Sequence, residues 1–466
     1  MKYSITVREF LEQSKAGNID YLDFVAKLME KTRALDEQYN FLITIEDLTK
    51  FVSIEPSFFG LPISVKDNIC TARIQSTAGS RILEGYVPHF DATAVERLRA
   101  EGCRILGKTQ QDEFGFGTFS TNSAYGVPKN PYDPQRSTGG SSGGAAGLAA
   151  ALNMPHVALA ESTGGSISCP ASFCGVVGLT PTYGLVSRYG LIDYANSLDK
   201  IGLIGRQVYD VALLLSCIAG HDARDSTSLQ EKKKDYTKHA AKKDLSGLRI
   251  GVPKEYFENV DEAVSRNVWS AIERLESLGA SYSEFSLPTT KYALAAYYII
   301  ATAEASTNLA KYCGMRYGLH MPLEGTYNEY FSKVRAAGLG TEAKRRVMLG
   351  TFARMSGYRD AYYLKAMQVR TLIIRDFKKA FGKYDVIAAP TMPVAPPKFA
   401  DIAKLTPLQN YQMDVLTVPA NLAGIPHLSI NCGFTNNMPV GLHLLGDHLA
   451  EAKLIETAAA FEREQK

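Results

Sequence analysis

The chain reads as an α/β protein with a layered architecture, on three observations. Short apolar strand-like runs alternate with segments of helical periodicity along the whole length. The hydrophobic fraction, 45% of 466 residues, supports a large core. Thirdly, one long stretch is almost bare of charge. From Ser137 to Ser187 the only charged side chain is Glu161, although charged residues make up 21% of the chain. Roughly 11 charges would be expected there at an ordinary density. The stretch also holds 10 glycines and 12 serines or threonines, set among Val, Leu, Ala and Phe. A flexible linker lacks such apolar runs, and a disordered segment carries more charge. Buried backbone with small polar side chains is the reading that remains, a common construction of binding and active sites.

In chain order, residues 1–50 read as helical, with Asp20 capping a helix whose Leu22, Val25, Leu28 and Met29 recur at helical spacing. Leu61 to Val65 is a strand. Asp91 is expected to cap a helix through Val95 and Leu98 that ends at Gly102, followed by a strand from Cys103 to Leu106. Val208 to Ile218 is a helix, and the lysine-rich run Glu231 to Asp244 a solvated connector and the best candidate for a boundary. Leu248 to Val252 is a strand. Val264, Val268, Ile272, Leu275 and Leu278 line one face of a helix closed by Gly279. Helices then dominate to about residue 382. Strands follow at Asp385–Ala389 and Gly441–Leu445, and a last helix from about Leu449 to Glu462. The expected organisation is one domain over 1–466, with a helical N-terminal segment at about 1–50 and a core at about 60–205.

Composition narrows the function. Lys+Arg 51 against Asp+Glu 48 is a net charge of +3, which argues against a protein that coats nucleic acid. The seven cysteines form no CxxC pair, so reduced thiols fit better than a disulfide framework or a zinc knuckle. The N-terminus is too charged for a signal peptide, and the longest apolar run, Ala145–Ala160, is too interrupted to span a bilayer. A cytoplasmic location and no metal site in this chain are the resulting expectations. Gly102 to Thr109 satisfies the GxxxxGK[ST] pattern, but the mechanism needs strand, loop, then helix, and here a helix precedes the glycine. Ser197–Lys200 matches SxxK without the companion motifs.

Three segments carry chemistry: Pro62–Asn68 (PISVKDN), Gly139–Gly144 (GGSSGG) and Ser162–Pro170 (STGGSISCP). They suggest a serine nucleophile without histidine, since the eight histidines lie mostly away from these motifs and no GxSxG elbow is present. A lysine can serve as the base when burial disfavours its ammonium form. The small residues before Ser166 offer backbone N–H groups suited to an oxyanion hole.

On these motifs, together with TNSAYG at 121–126 and FCGVVGLTPTYG at 173–184, the sequence resembles the amidase signature family. The resemblance implies a layered α/β/α fold with a large mixed sheet covered by helices. It also implies a Ser–cis-Ser–Lys triad with a cis Ser–Ser peptide. The family's spacing of 24 residues between serines puts the bridging serine at Ser142 and the nucleophile at Ser166, with Lys66 as the base. The amides of Thr163, Gly164 and Gly165 would hold the oxyanion. Within the family the likeness is greatest to the glutamine-hydrolysing A subunits of glutamyl/aspartyl-tRNA amidotransferases. It extends through SRYGLIDYANSLDKIG at 187–202, GLRIGVPKEYF at 247–257, KRRVMLGTFA at 344–353 and LTVPANLAG at 416–424. That likeness implies glutamine as substrate, with Arg346 on its α-carboxylate, Asp414 on its α-ammonium, and Tyr298 rather than Tyr297 in contact. It further implies two partners, namely the B subunit, a tRNA-binding kinase/transamidase, and the small C subunit. Misacylated tRNA, ATP and Mg would then be handled mainly by the partner, with no cofactor in this chain. A free-standing amidase and a non-catalytic scaffold are the alternatives. Two positions depart from the family: Ser162 stands where Asp is usual and Ser168 where Arg is usual. A coupled replacement is expected, because losing one partner alone would strand a buried charge.

Overall fold

Eleven strands form one mixed sheet in the computed structural model, which describes residues 3–50 and 57–465. Met1, Lys2, residues 51–56 and Lys466, which fall at the ends of the expected domain and just past its helical N-terminal segment, lie outside the described residues. The strands are β1 (Leu42–Ile45), β2 (Pro62–Lys66), β3 (Arg104–Thr109), β4 (Val157–Ser162), β5 (Val177–Thr180), β6 (Lys200–Gly205), β7 (Arg249–Pro253), β8 (Ser281–Phe285), β9 (Val386–Pro390), β10 (His427–Thr435) and β11 (Met438–Leu445). Their order across the sheet is β1-β3-β2-β4-β6-β5-β10-β11-β9-β7-β8. Strand β2 runs parallel to both β3 and β4, and β7 is parallel to β8 and β9; the remaining pairs are antiparallel.

Side chains that alternate along a strand serve opposite faces, and the core divides accordingly. On β9, Val386 and Ala388 join one apolar cluster, and Ile387 and Ala389 join another. Strand β11 does the same with Leu442 and Leu444 against Leu445. A sheet clothed with apolar packing on both faces is the α/β layered class expected.

Several local expectations need adjustment. Asp20 does cap the helix Tyr21–Tyr39, accepting from the Asp23 amide at 3.2 Å. That helix buries Tyr21, Phe24, Val25, Leu28 and Met29, whereas Leu22 faces solvent. The N-terminal segment is not wholly helical, since β1 begins at Leu42. Asp91 is not a helix cap. Ala92 takes the N-cap position of Thr93–Ala100, and the Asp91 carboxylate instead accepts from the Ala72 amide (2.7 Å) and pairs with Arg99 (3.1 Å). The run Gly107-Lys108-Thr109 lies within β3, with the Lys108 ammonium buried against the Ile69 carbonyl (2.7 Å) and Ser76 Oγ (2.6 Å). No phosphate-binding loop is formed there. The basic connector packs through His239 onto Glu456 of the last helix (2.7 Å).

The sheet brings the chemical segments together. Val65 of β2 is level with Leu159 of β4, so the carboxyl ends of these two parallel strands deliver Lys66 and Glu161 side by side. Sites at the carboxyl ends of parallel strands are the general habit of such sheets. At the end of β4, Ser162 Oγ is buried without a hydrogen-bond partner. Ser168 Oγ lies 3.0 Å from His427 Nδ1, which is itself 3.0 Å from His443 Nε2. Burial holds both histidines below their ordinary range, so this pair is neutral.

A guanidinium placed at 168 would therefore meet neutral, buried neighbours. Ser168→Arg is expected to destabilise the protein by about 3–5 kcal/mol, the usual cost of an uncompensated buried charge. Adding Ser162→Asp should recover a large part of it. Chemical denaturation of the two single variants and the double variant measures this coupling; additive effects would show that the two positions are independent.

Candidate active site

Lys66 ends β2 with its side chain wholly buried. Its Nζ has three neighbours: Ser141 Oγ at 2.7 Å, the Glu161 carbonyl at 3.0 Å, and Glu161 Oε2 at 2.9 Å. Burial holds the Lys66 ammonium below its ordinary range, opposed by the charge and hydrogen bond of Glu161 and by Asp112 and Asp199.

The serine on Lys66 is thus Ser141, not Ser142. The cis peptide is Gly140–Ser141 rather than the bond between the two serines. Ser142 turns away: its hydroxyl donates to the Glu161 carbonyl (3.1 Å), its amide to the Ser166 carbonyl (3.2 Å), and it forms the N-cap of the helix Gly143–Ala151. Ser141 precedes Ser166 by 25 positions, one more than the spacing used to choose Ser142. The helix Gly143–Ala151 and β4 fix the two ends of this interval. The turn between them, with Asn153 in the left-handed region at φ 46°, sets its length, which a residue count does not reveal.

Ser166 sits at the exit of the Thr163-Gly164-Gly165 turn and is 7% exposed. Gly165 has φ 146°, and a Cβ there would fall 2.3 Å from Thr417 Oγ1, so only glycine fits. Gly164 is equally crowded, by the Tyr297 hydroxyl. Among the described residues no hydrogen bond from the amides of Gly164, Gly165 or Ser166 is present, although all three residues are buried. Buried amides are nearly always paired, so this turn is dressed to receive an acceptor from elsewhere. The Thr163 side chain has another task, lying between Glu161 Oε1 (2.7 Å) and Asp199 Oδ1 (2.8 Å).

Ser166 lines a cavity of about 10 Å³ with Gly115, Gly117, Tyr297, Arg346 and Asp414. A second cavity of about 510 Å³ shares the lining residues Gly117 and Arg346 with it and adds Thr118, Glu342 and Tyr411. Arg346 and Asp414 are therefore part of the same site as Ser166. Arg346 lies on the helix Thr341–Arg354 and is only 3% exposed, ringed by Phe116, Tyr194, Tyr298 and Tyr411 with centroids 5.2–5.7 Å from its guanidinium carbon. Its Nε donates to Glu342 Oε1 (2.8 Å), and an Nη donates to the Tyr194 hydroxyl (2.7 Å). Asp414 accepts from Thr118 Oγ1 (2.8 Å) and from the Tyr298 hydroxyl (2.6 Å). Burial pushes its carboxyl up to about 6. Of the tyrosine pair, Tyr297 lines the cavity beside Ser166, while Tyr298 holds Asp414 and stacks on Tyr411 at 4.1 Å.

Sequence reasoning missed Ser141, Glu161, Asp199, Thr118, Tyr194, Glu342 and Tyr411. Three of these left a trace: Ser141 inside the GGSSGG segment, Glu161 as the sole charge of the bare stretch, and Glu342 one helical turn before Arg346. The others are brought in by tertiary structure. Among the described residues, no group of His, Cys, Asp and Glu side chains is arranged to hold a metal, and no helix is long and apolar enough to cross a membrane.

The chain has relatives among known proteins. The sequence profile of the Amidase family matches residues 7–455. The chain is 52% identical over 405 residues to the A subunit of the glutamyl-tRNA(Gln) amidotransferase of Methanococcoides burtonii, covering 87% of this chain and 84% of that one. It is 46% identical to the protein of the same name from Halothermothrix orenii, over 99% of this chain and 97% of that one. Among solved structures it superposes on the A subunit of the glutamyl-tRNA(Gln) amidotransferase of Thermotoga maritima with a TM-score of 0.84 and 37% identity, covering 99% and 95%. It also superposes on the peptide amidase of Stenotrophomonas maltophilia, with a TM-score of 0.81 and 29% identity, covering 98% and 96%. With a buried lysine on a serine hydroxyl, a second serine beside free amides, and relatives along its whole length, the chain is a member of the amidase family of enzymes.

Proposed function

We propose that the chain is the glutamine-hydrolysing component of a tRNA-dependent amidotransferase, working as one catalytic domain. The observation that carries this reading is the convergence of Ser166, Arg346 and Asp414 on one small cavity. An amino acid held by both α-groups needs a cation and an anion at one end of its site and the reacting centre at the other. An Arg fork matches a carboxylate in two-point fashion. The names of the relatives, and their coverage of nearly the whole chain, support the same choice over a free-standing amidase.

In the mechanism, neutral Lys66 accepts a proton from Ser141 as Ser141 accepts the proton of Ser166, and the Ser166 oxygen forms a bond to the amide carbon of glutamine. The amides of the Thr163–Ser166 turn stabilise the oxyanion. On collapse the carbon–nitrogen bond breaks, and the proton returns through Ser141 to the departing nitrogen, which leaves as ammonia. Water, giving up a proton along the same route, then attacks the acyl-enzyme and glutamate is released. Ammonia made here is used elsewhere, which calls for partners. The tRNA-binding B subunit would activate the misacylated Glu-tRNA(Gln) or Asp-tRNA(Asn) with ATP and Mg, and the small C subunit would complete a cytoplasmic heterotrimer.

Ser166→Ala is expected to lower glutaminase kcat by roughly 10⁴-fold or more, as for a nucleophile that acts within a unit. Ser141→Ala should cost about 10²–10⁴-fold, the usual worth of a proton-transfer partner, and Ser142→Ala far less. Steady-state assays of the purified chain with and without its partners measure this, and an active Ser166→Ala protein overturns the reading. Strong turnover of bulky amides with none of glutamine favours the free-standing amidase. The pH dependence has a definite sign. As pH falls through about 6, Asp414 gains a proton and loses its attraction for an α-ammonium, so KM for glutamine should rise there. A KM independent of pH from 8 to about 5 would remove Asp414 from substrate binding.

A further inference from the structure

Glu161 is the one charge in a 51-residue stretch, and it is only 1% exposed. Its contacts define what it does. A neutral amine has two hydrogens and one lone pair. Around Lys66 Nζ, two of the three neighbours, the Glu161 carbonyl and Glu161 Oε2, are oxygens that can only accept. They take both hydrogens of the neutral amine, and the lone pair then faces the third neighbour, Ser141 Oγ. When Lys66 gains a proton, the third hydrogen points along that same 2.7 Å contact, and the ammonium is already paired with a carboxylate. One residue thus supplies two of the three directions that aim the base.

The carboxylate is itself held. Asn68 Nδ2 donates to Oε2 at 3.1 Å. The Thr163 hydroxyl lies between Oε1 and Asp199 Oδ1, and its single proton serves only one of them. Asp199 is raised well above the usual carboxyl range, by burial first and by Glu161 second. The charged or titratable groups that face the pair from neighbouring elements are Asp112, beyond β3, Asp199, just before β6, and Lys200, which begins it.

We propose that Glu161 is a positioning residue for the lysine base, orienting the Lys66 amine toward Ser141 and pairing with the ammonium that proton transfer creates. The proposal rests on the reading of Lys66 as the base. No covalent bond to Glu161 is involved; one proton moves from Ser141 to Lys66 and back.

The test is the pH profile of glutaminase kcat for the full enzyme and its variants, alongside thermal melts. The unaltered enzyme comes first: a kcat flat down to acidic pH would overturn the lysine base itself, and with it this proposal. With an acid limb present, Glu161→Gln keeps an acceptor but removes the charge that favours the ammonium. The limb should then move down by roughly one pH unit or more, and plateau kcat should fall about tenfold with KM nearly unchanged. Glu161→Asp keeps the charge one methylene farther away, so it should lower kcat with a smaller shift of the limb. A folded variant whose limb stays within about 0.3 pH unit of the original overturns the role of Glu161 while leaving Lys66 as the base. Loss of folded protein in both variants assigns Glu161 to the architecture and overturns the proposal as well.

Discussion

A lysine side chain with no solvent exposure at the end of β2 is the constraint around which the site is arranged. An ammonium so placed is costly unless paired, and an amine so placed is a usable base only if something aims it. Parallel pairing of β2 with β4 meets both needs, because it sets Glu161 beside Lys66. From the same strand end the chain turns through Thr163, Gly164 and Gly165 to Ser166. The ladder between β2 and β4 thus sets Lys66, and a short buried turn leads from its end to Ser166. Lys66 and Glu161 are themselves almost wholly shielded from solvent.

What could be read in advance follows a physical line. Elements with local signatures were legible: the capped helix after Asp20, the apolar face from Val264 to Leu275, and the strand ending in Lys66. The layered α/β class followed from their alternation. The candidate nucleophile Ser166 and base Lys66 stood out because two glycine-rich segments and a strand ending in lysine occur together; singly, such segments are usually loops and such a lysine a solvated terminus. Strands β4, β5 and β6, buried along their whole length, show no alternation of polar and apolar residues and are not among the strands expected from the sequence. Asp91 was misread because the usual capping residue type is also suited to bracing a neighbouring loop.

Ser141 and Ser142 show the limit of spacing. They are identical and adjacent, and only the backbone path decides which hydroxyl meets Lys66. The helix that begins at Gly143 takes Ser142 as its N-cap residue and leaves Ser141 to the lysine. Glu161 shows a different limit. Its isolation in the sequence was plain, but its partner lies 95 residues away and becomes a neighbour through strand register.

The cage around Arg346 has a consequence for recognition. Its guanidinium is already out of water, among four aromatic rings, with a carboxylate of the same chain on its Nε. On the proposed function, an incoming α-carboxylate would not have to strip a hydrated cation, and it would share or contest the donors of Arg346 with Glu342. Part of the Coulombic gain would then cancel between the free and occupied states, and affinity would reflect a difference between ion pairs rather than the full attraction of one. The site would resemble an ion exchanger with its own counter-ion tethered in place.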